Sequence, residues 1–190
     1  YRDPEIETRI SQYELAYRMQ TSVPELVDLD SEPEHILRQY GLSGAQHANP
    51  NSSFARNCLQ ASRFVEEGDR FVQVFAKGWD HHANIYTALP RSVRKVDKAC
   101  AALIQDLKQR GMLDDTLVIW GGEFGRMPMS EQGKGRDHNP WGYSVWLAGA
   151  GIRGGRAYGA TDEIGLRAVH DKVSVKDFHA TLLHLMGIDH

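Results

Sequence analysis

The chain has 190 residues, 41% of them apolar and 25% charged, with a net charge of −3 at pH 7. That balance suits one ordinary globular segment with a real core and excludes wholesale disorder. The slight acidity offers no basic stripe for nucleic acid or an anionic membrane surface, no apolar run is long enough to span a membrane, and no signal-peptide pattern opens the chain.

From Pro4 to about Gln20, the apolar positions Ile6, Ile10, Tyr13 and Tyr17 recur at helical spacing, and residues 21–30 read as loop. Ser31-Glu32-Pro33 opens a second helix that runs to Tyr40 and stops at Gly41. The Gly-, Asn- and Ser-rich stretch 41–51 is a surface connection, and Asn51 or Ser52 can cap the next helix. That helix carries Phe54, Cys58, Ala61 and Val65 on one face and ends at Gly68.

Phe71-Val72-Gln73-Val74-Phe75-Ala76 is nearly continuous apolar sequence, rich in β-formers and too short for a core helix, so it predicts a strand covered on both faces. A long helix from about Leu89 to Arg110 places Val93, Val96, Cys100, Leu103 and Leu107 on one stripe, with Gly111 as its stop. Thr116-Leu117-Val118-Ile119-Trp120 is the next expected strand. Strand, helix and strand make a βαβ unit with two parallel neighbours, whose carboxyl ends share one edge of the sheet. Cys58 and Cys100 both lie on apolar helix faces and read as small core residues rather than a disulfide.

Tyr143-Ser144-Val145-Trp146-Leu147-Ala148 is a third strand. Either it runs antiparallel or the loop 127–142 folds back over the sheet edge. Gly149-Ala150-Gly151-Ile152-Arg153-Gly154 matches G-x-G-x-x-G, but no helix can start at Gly155-Arg156-Ala157-Tyr158-Gly159 to hold a pyrophosphate, so a glycine-rich turn is the better account. Ser174-Val175-Lys176-Asp177 opens a terminal helix with a capping-box-like start and an inner face of Phe178, Leu182 and Leu185.

Chemistry concentrates in three loops. Gly78-Trp79-Asp80-His81-His82 follows the first expected strand, and Gly121-Gly122-Glu123-Phe124-Gly125-Arg126 follows the second. Gly135-Arg136-Asp137-His138 precedes the third. Open α/β sheets bind ligands beyond the carboxyl ends of their strands, so the βαβ reading brings Asp80, His82 and Glu123 to one side. An Asp-x-His pair supplies oxygen and nitrogen ligands to one cation, and Asn84 and His81 are read as substrate contacts. A buried Glu123 carboxylate needs a cation, Arg126 or a proton. His138 is either a ligand or a loop residue bonded to Asp137, and Asp137 is a natural carboxylate to orient its imidazole. His179 and His184, five apart on the terminal helix, do not share a ligand face.

The run from Val96-Asp97-Lys98 through Gly111-Met112-Leu113-Asp114-Asp115 to Gly121-Gly122-Glu123-Phe124-Gly125 resembles the helix, strand and metal-ligand turn of sulfatases and the wider alkaline phosphatase superfamily. Gly135-Arg136-Asp137-His138-Asn139-Pro140 looks like the late histidine loop of its phosphomutases, and 175–188 like its closing helix. From about Phe54 to Ile188 the chain is most similar to the C-terminal half of the bacterial domain-of-unknown-function 1501 family, with its Gly-Trp-Asp-x-His, Gly-Glu-Phe-Gly-Arg and Gly-Arg-Asp-His motifs.

The resemblance implies an α/β fold with a mostly parallel sheet flanked by helices, present as an incomplete fragment. Residues 1–50 would be a helical and loop lead-in, and 51–190 the sheet core of a single domain segment. It implies a metal centre built by Asp80, His82, Glu123 and His138, with Arg126 and Arg136 steadying an anionic group. Imidazole ligands favour zinc or manganese over calcium. Glu123-Phe124 stands where the superfamily usually has Asp-His or Asp-Asn, which removes a ligand of a second metal.

The expected activity is metal-dependent hydrolysis of sulfate or phosphate esters. Its substrate would be a small anionic ester or a sulfated or phosphorylated carbohydrate, and the nucleophile would come from an N-terminal half of the same protein. The family likeness implies an exported bacterial protein. The alternative is a non-catalytic domain that binds a carbohydrate or a partner through Trp79, Trp120, Trp141 and Tyr143.

Overall fold

The structure, a computed structural model, describes residues 3–44 and 52–189. It divides into two compact units, Tyr1–Val74 and Phe75–His190.

The first unit is helical. Helix α1 (Pro4–Val27) starts with Pro4 in its first turn and with the Asp3 carboxylate accepting the Glu5 N–H, and Glu5 and Glu7 sit where the helix dipole favours acids. It continues about two turns past Gln20, so residues 21–27 are helix rather than loop. Pro24 supplies no N–H to the helix, which propensity alone reads as a stop. Tertiary burial overrides that preference: Leu26 and Leu29 are both buried, and the Asp28 N–H closes the end on the Pro24 carbonyl at 3.2 Å. The stripe Ile6, Ile10, Tyr13 and Tyr17 is exposed.

Helix α2 (Glu34–Tyr40) ends where expected, with Gly41 in the left-handed region at φ 78° and the Leu42 N–H reaching back to the Leu37 carbonyl at 2.7 Å. Ile36, Leu37, Tyr40 and Leu42 are buried. Helix α3 (Ser53–Glu66) buries Ala55, Cys58, Leu59, Ala61 and Ser62, while Phe54 and Val65 are only half-buried, so the inner face is rotated from the expected one. Ser52 occupies the cap position without a side-chain bond, and Asn51 lies outside the described residues. From α3, Arg63 donates to the carbonyls of Glu25 and Asp28 and pairs with Glu32, and Gln60 donates to the Val27 carbonyl, which ties the α1–α2 connection down.

From residue 71 onward the structure overturns the parallel-sheet expectation. Residues 71–76 take no regular secondary structure; Val72, Val74 and Ala76 are half-buried while Phe71, Gln73 and Phe75 are exposed, an alternation that covers one side at most. Strand β1 (Val118–Trp120) instead pairs antiparallel with β4 (Trp146–Ala148), Trp120 opposite Trp146. Without a first strand there is no βαβ unit; of the two options for the third strand, the antiparallel one holds. Two further antiparallel pairs complete the described ladders: β2 (Gly125–Arg126) with β3 (His138–Asn139), and β5 (Ala160–Thr161) with β6 (Ala168–His170).

Helix α4 (Ile85–Gln109) begins one turn before the expected Leu89, from a left-handed Asn84 at φ 53°, and buries Ser92, Val96, Ala99, Ala102, Asp106 and Leu107. Val93 is exposed and Cys100 half-buried. A single 3₁₀ turn (Leu113–Asp115) leads to β1, and Gly149 just past β4 lies so close to it that a Cβ would strike the Thr116 and Leu113 carbonyls. The glycine-rich segment 149–154 is a turn closed by the Ile152 N–H on the Gly149 carbonyl, and no helix follows it. Helix α5 (Val175–Leu185) opens with both capping-box bonds, Ser174 to Asp177 and back, but Phe178, Leu182 and Leu185 are half-buried rather than fully enclosed.

Candidate metal centre

The β2–β3 ladder assembles the centre. It is only two residues long, Gly125 opposite Asn139 and Arg126 opposite His138, and the Met127 N–H extends it to the Asp137 carbonyl at 2.8 Å. Gly125 is required there, since a Cβ would run into the Gly142 carbonyl. Asn139, fully buried, bonds the Leu166 carbonyl through its amide and accepts the Trp141 N–H, which anchors the loop behind the ladder.

Within the hairpin that joins β2 to β3, residues 131–135 form a smaller one. The Gln132 and Gly133 φ values of 48° and 75° are those of a two-residue primed turn, and Glu131 and Gly135 form an antiparallel bridge. This tip lies on the loop 80–85: the Arg136 N–H donates to the His81 carbonyl at 3.0 Å and the Ile85 N–H to the Lys134 carbonyl at 2.9 Å. Gly135 touches the His82 peptide so closely that a Cβ would overlap its carbonyl.

Three donor atoms converge as a result. Asp80 Oδ1 lies 3.0 Å from His82 Nε2 and 3.1 Å from His138 Nε2, and the two imidazole nitrogens are 3.0 Å apart. Ligands each about 2.0 to 2.2 Å from one tetrahedral ion stand about 3.3 to 3.6 Å from one another, so the set fits a shared cation after small side-chain adjustment. The chemistry fits as well, one carboxylate and two imidazoles on exposed or half-buried side chains.

Arg126 donates to Asp80 Oδ1 at 2.7 Å and to the Arg136 carbonyl at 3.2 Å. The guanidinium, and then the His138 ring, hold the Asp80 carboxyl down at about 2. Phe124 stacks at a tilt on His138, ring centres 4.2 Å apart, and lies 5.8 Å from the Arg126 guanidinium carbon, which walls one side of the centre. On the far side of His82, Nδ1 donates to Glu131 Oε2 at 2.7 Å, and this hydrogen bond raises the His82 pKa.

The other expected site residues are placed as follows. Glu123 is exposed, so it needs no buried counter-charge, and it falls outside the converging donors. Asp137 accepts the backbone N–H of His138 at 2.7 Å, so it fixes the main chain of that residue; its carboxylate also belongs to a second grouping with His82 and Glu131. Arg136 is half-buried and donates to the Gly135 carbonyl. His81 is buried, its Nε2 3.3 Å from Ser92 Oγ, while that hydroxyl donates to the Gly78 carbonyl at 2.9 Å. These bonds brace the loop that carries Asp80 and His82 against α4. Asn84 serves through its left-handed backbone at the start of α4. Glu131 was not singled out from the sequence; the signal was the Gln132-Gly133 turn dipeptide, which folds it back to face His82.

The family model described as protein of unknown function (DUF1501) matches residues 1–190. The chain belongs to the DUF1501 family. No curated protein and no solved structure matches this DUF1501 chain. No helix among its described residues is long and apolar enough to cross a membrane.

Proposed function

We propose that this DUF1501 protein holds a divalent ion, zinc or manganese in preference to calcium, on Asp80, His82 and His138, and serves hydrolysis of sulfate or phosphate esters. The observation that carries the reading is the triangle of donors with sides of 3.0, 3.0 and 3.1 Å, drawn from loops 56 residues apart along the chain. The likeness of the Gly121–Gly125 turn to that of sulfatases, and of the Gly135–Pro140 loop to that of phosphomutases of the alkaline phosphatase superfamily, supports the class of reaction. A bound ion would polarise an ester oxygen and lower the pKa of a hydroxyl or water.

The chain's own residues do the rest. Arg126 lowers the Asp80 pKa and sets a guanidinium beside the centre, where it can meet an anionic ester by charge-assisted hydrogen bonds. Phe124 holds the His138 ring in place and shields it from water on one face. In this reading an N-terminal half of the same protein supplies the attacking nucleophile, and the protein is exported by a bacterium.

Elemental analysis and metal titration of the full-length wild type, Asp80→Ala and His138→Ala proteins, alongside turnover of aryl sulfate and aryl phosphate, test the reading. Both variants are expected to lose bound metal and turnover; unchanged metal content in both overturns the proposal. A second reading, a carbohydrate-binding surface without catalysis, is favoured by one observation: Trp120 and Trp146 are each 45% exposed, with Trp79 edge-on to Trp120 at 6.2 Å. Binding of neutral sugars by metal-free protein, with no ester turnover, would select it.

A further inference from the structure

We infer that Glu131 is a positioning residue that fixes the His82 imidazole with its proton on Nδ1 and its Nε2 lone pair aimed at the cation; this rests on the metal reading above. A carboxylate only accepts, so the 2.7 Å contact between His82 Nδ1 and Glu131 Oε2 requires the proton on Nδ1. The opposite ring nitrogen then faces Asp80 Oδ1 and His138 Nε2, each 3.0 Å away. A lone pair there can bind an ion that the neighbouring donors share, and the carboxylate behind the ring increases its basicity.

The backbone delivers this arrangement. Glu131 opens the primed turn, with its N–H on the Gly135 carbonyl and its own carbonyl accepting from Lys134 and Gly135, all at 3.0 Å. The same turn is bonded to the two residues that flank the 82–84 segment, His81 and Ile85. Glu131 and His82 are thus carried by two pieces of chain that are locked main chain to main chain. The side-chain contact across them has little freedom to drift. Glu131 is half-buried, so water competes for the bond only in part.

The test is zinc titration by chelator competition on the wild type, Glu131→Ala, Glu131→Gln, Glu131→Asp and His82→Ala, with the His82 tautomer read by long-range ¹H–¹⁵N NMR. Glu131→Ala is expected to weaken zinc about 10- to 100-fold and to turn a single Nδ1–H tautomer into a mixture. Glu131→Gln keeps an accepting oxygen at the same reach and should restore most of both signals, whereas Glu131→Asp, one methylene shorter, should restore less. If Glu131→Ala does not fold, the ranking of Gln above Asp carries the test. Unaltered zinc affinity and an unaltered tautomer in Glu131→Ala overturn the inference while leaving the metal reading intact. A second zinc per chain that vanishes with Glu131 also overturns it, because Glu131 would then be a ligand. A wild type that takes no zinc, or a His82→Ala variant that binds it equally well, ends the metal reading and this inference together.

Discussion

The helical unit and the loop cluster of the second unit are held by different forces. In the first, Leu26, Leu29, Ile36, Leu37, Tyr40, Leu42 and Leu59 are all buried, and order follows from removing apolar surface from water. Around Asp80, His82 and His138 the side chains are exposed or half-buried, and order comes from main-chain bonds, a two-residue ladder and glycines that let peptides touch. The first arrangement tolerates small adjustments of shape; the second has almost none to give, because a backbone contact cannot repack.

The largest effect expected is therefore at Gly135. Gly135→Ala puts a methyl group into the His82 carbonyl, so the hairpin 131–135 must lift and the donor triangle opens. Zinc titration should show loss of binding; retention at wild-type affinity would mean that the contact is not needed. Leu59→Ala, at a fully buried position of α3, should lower stability by about 2 to 5 kcal/mol in denaturant unfolding while zinc stoichiometry stays the same. Loss of zinc from this variant while it remains folded would blur the contrast between the regions. Ser92→Ala removes the bond to the Gly78 carbonyl and a partner of the buried His81, and about 1 kcal/mol of stability should go with it, with a modest fall in zinc affinity.

The smallest effect is at the start of α5. The Ser174 hydroxyl and backbone N–H hold the Asp177 carboxyl below its ordinary 3.8. A depressed folded-state pKa adds stability that is fully present above the unfolded value and is lost as pH falls through the folded one. Acid titration followed by the Ser174 amide shift should show this, and Asp177→Asn should flatten the response below 3.8.

Helix existence was legible in the sequence because apolar spacing and Gly stops act locally: α2, α3 and α5 lie close to where periodicity and the caps at Gly41 and Ser174 put them. The sheet was not. An apolar run such as 71–76 carries no information about its partner, and the choice of Trp146 opposite Trp120 is a long-range event that no local pattern specifies. Within the centre, Asp80, His82, His138 and Arg126 were recognisable by residue type, since carboxylate, imidazole and guanidinium sat in glycine-flanked loops. Glu131 is not legible locally because its role depends on a turn, and Glu123 is exposed because the strand before it, with Ile119 and Trp120 exposed, does not enclose the turn that follows.

The two-residue ladder also sets how the chain can change length. Added residues at the Gln132-Gly133 tip would extend the inner turn and leave Arg126 facing His138. A single insertion between Met127 and Ser130 would instead slide β2 past β3 by one step, setting Met127 in place of Arg126 opposite His138 and turning the guanidinium to the opposite face. Indels in this segment are therefore expected to be tolerated at its apex and penalised along its stem.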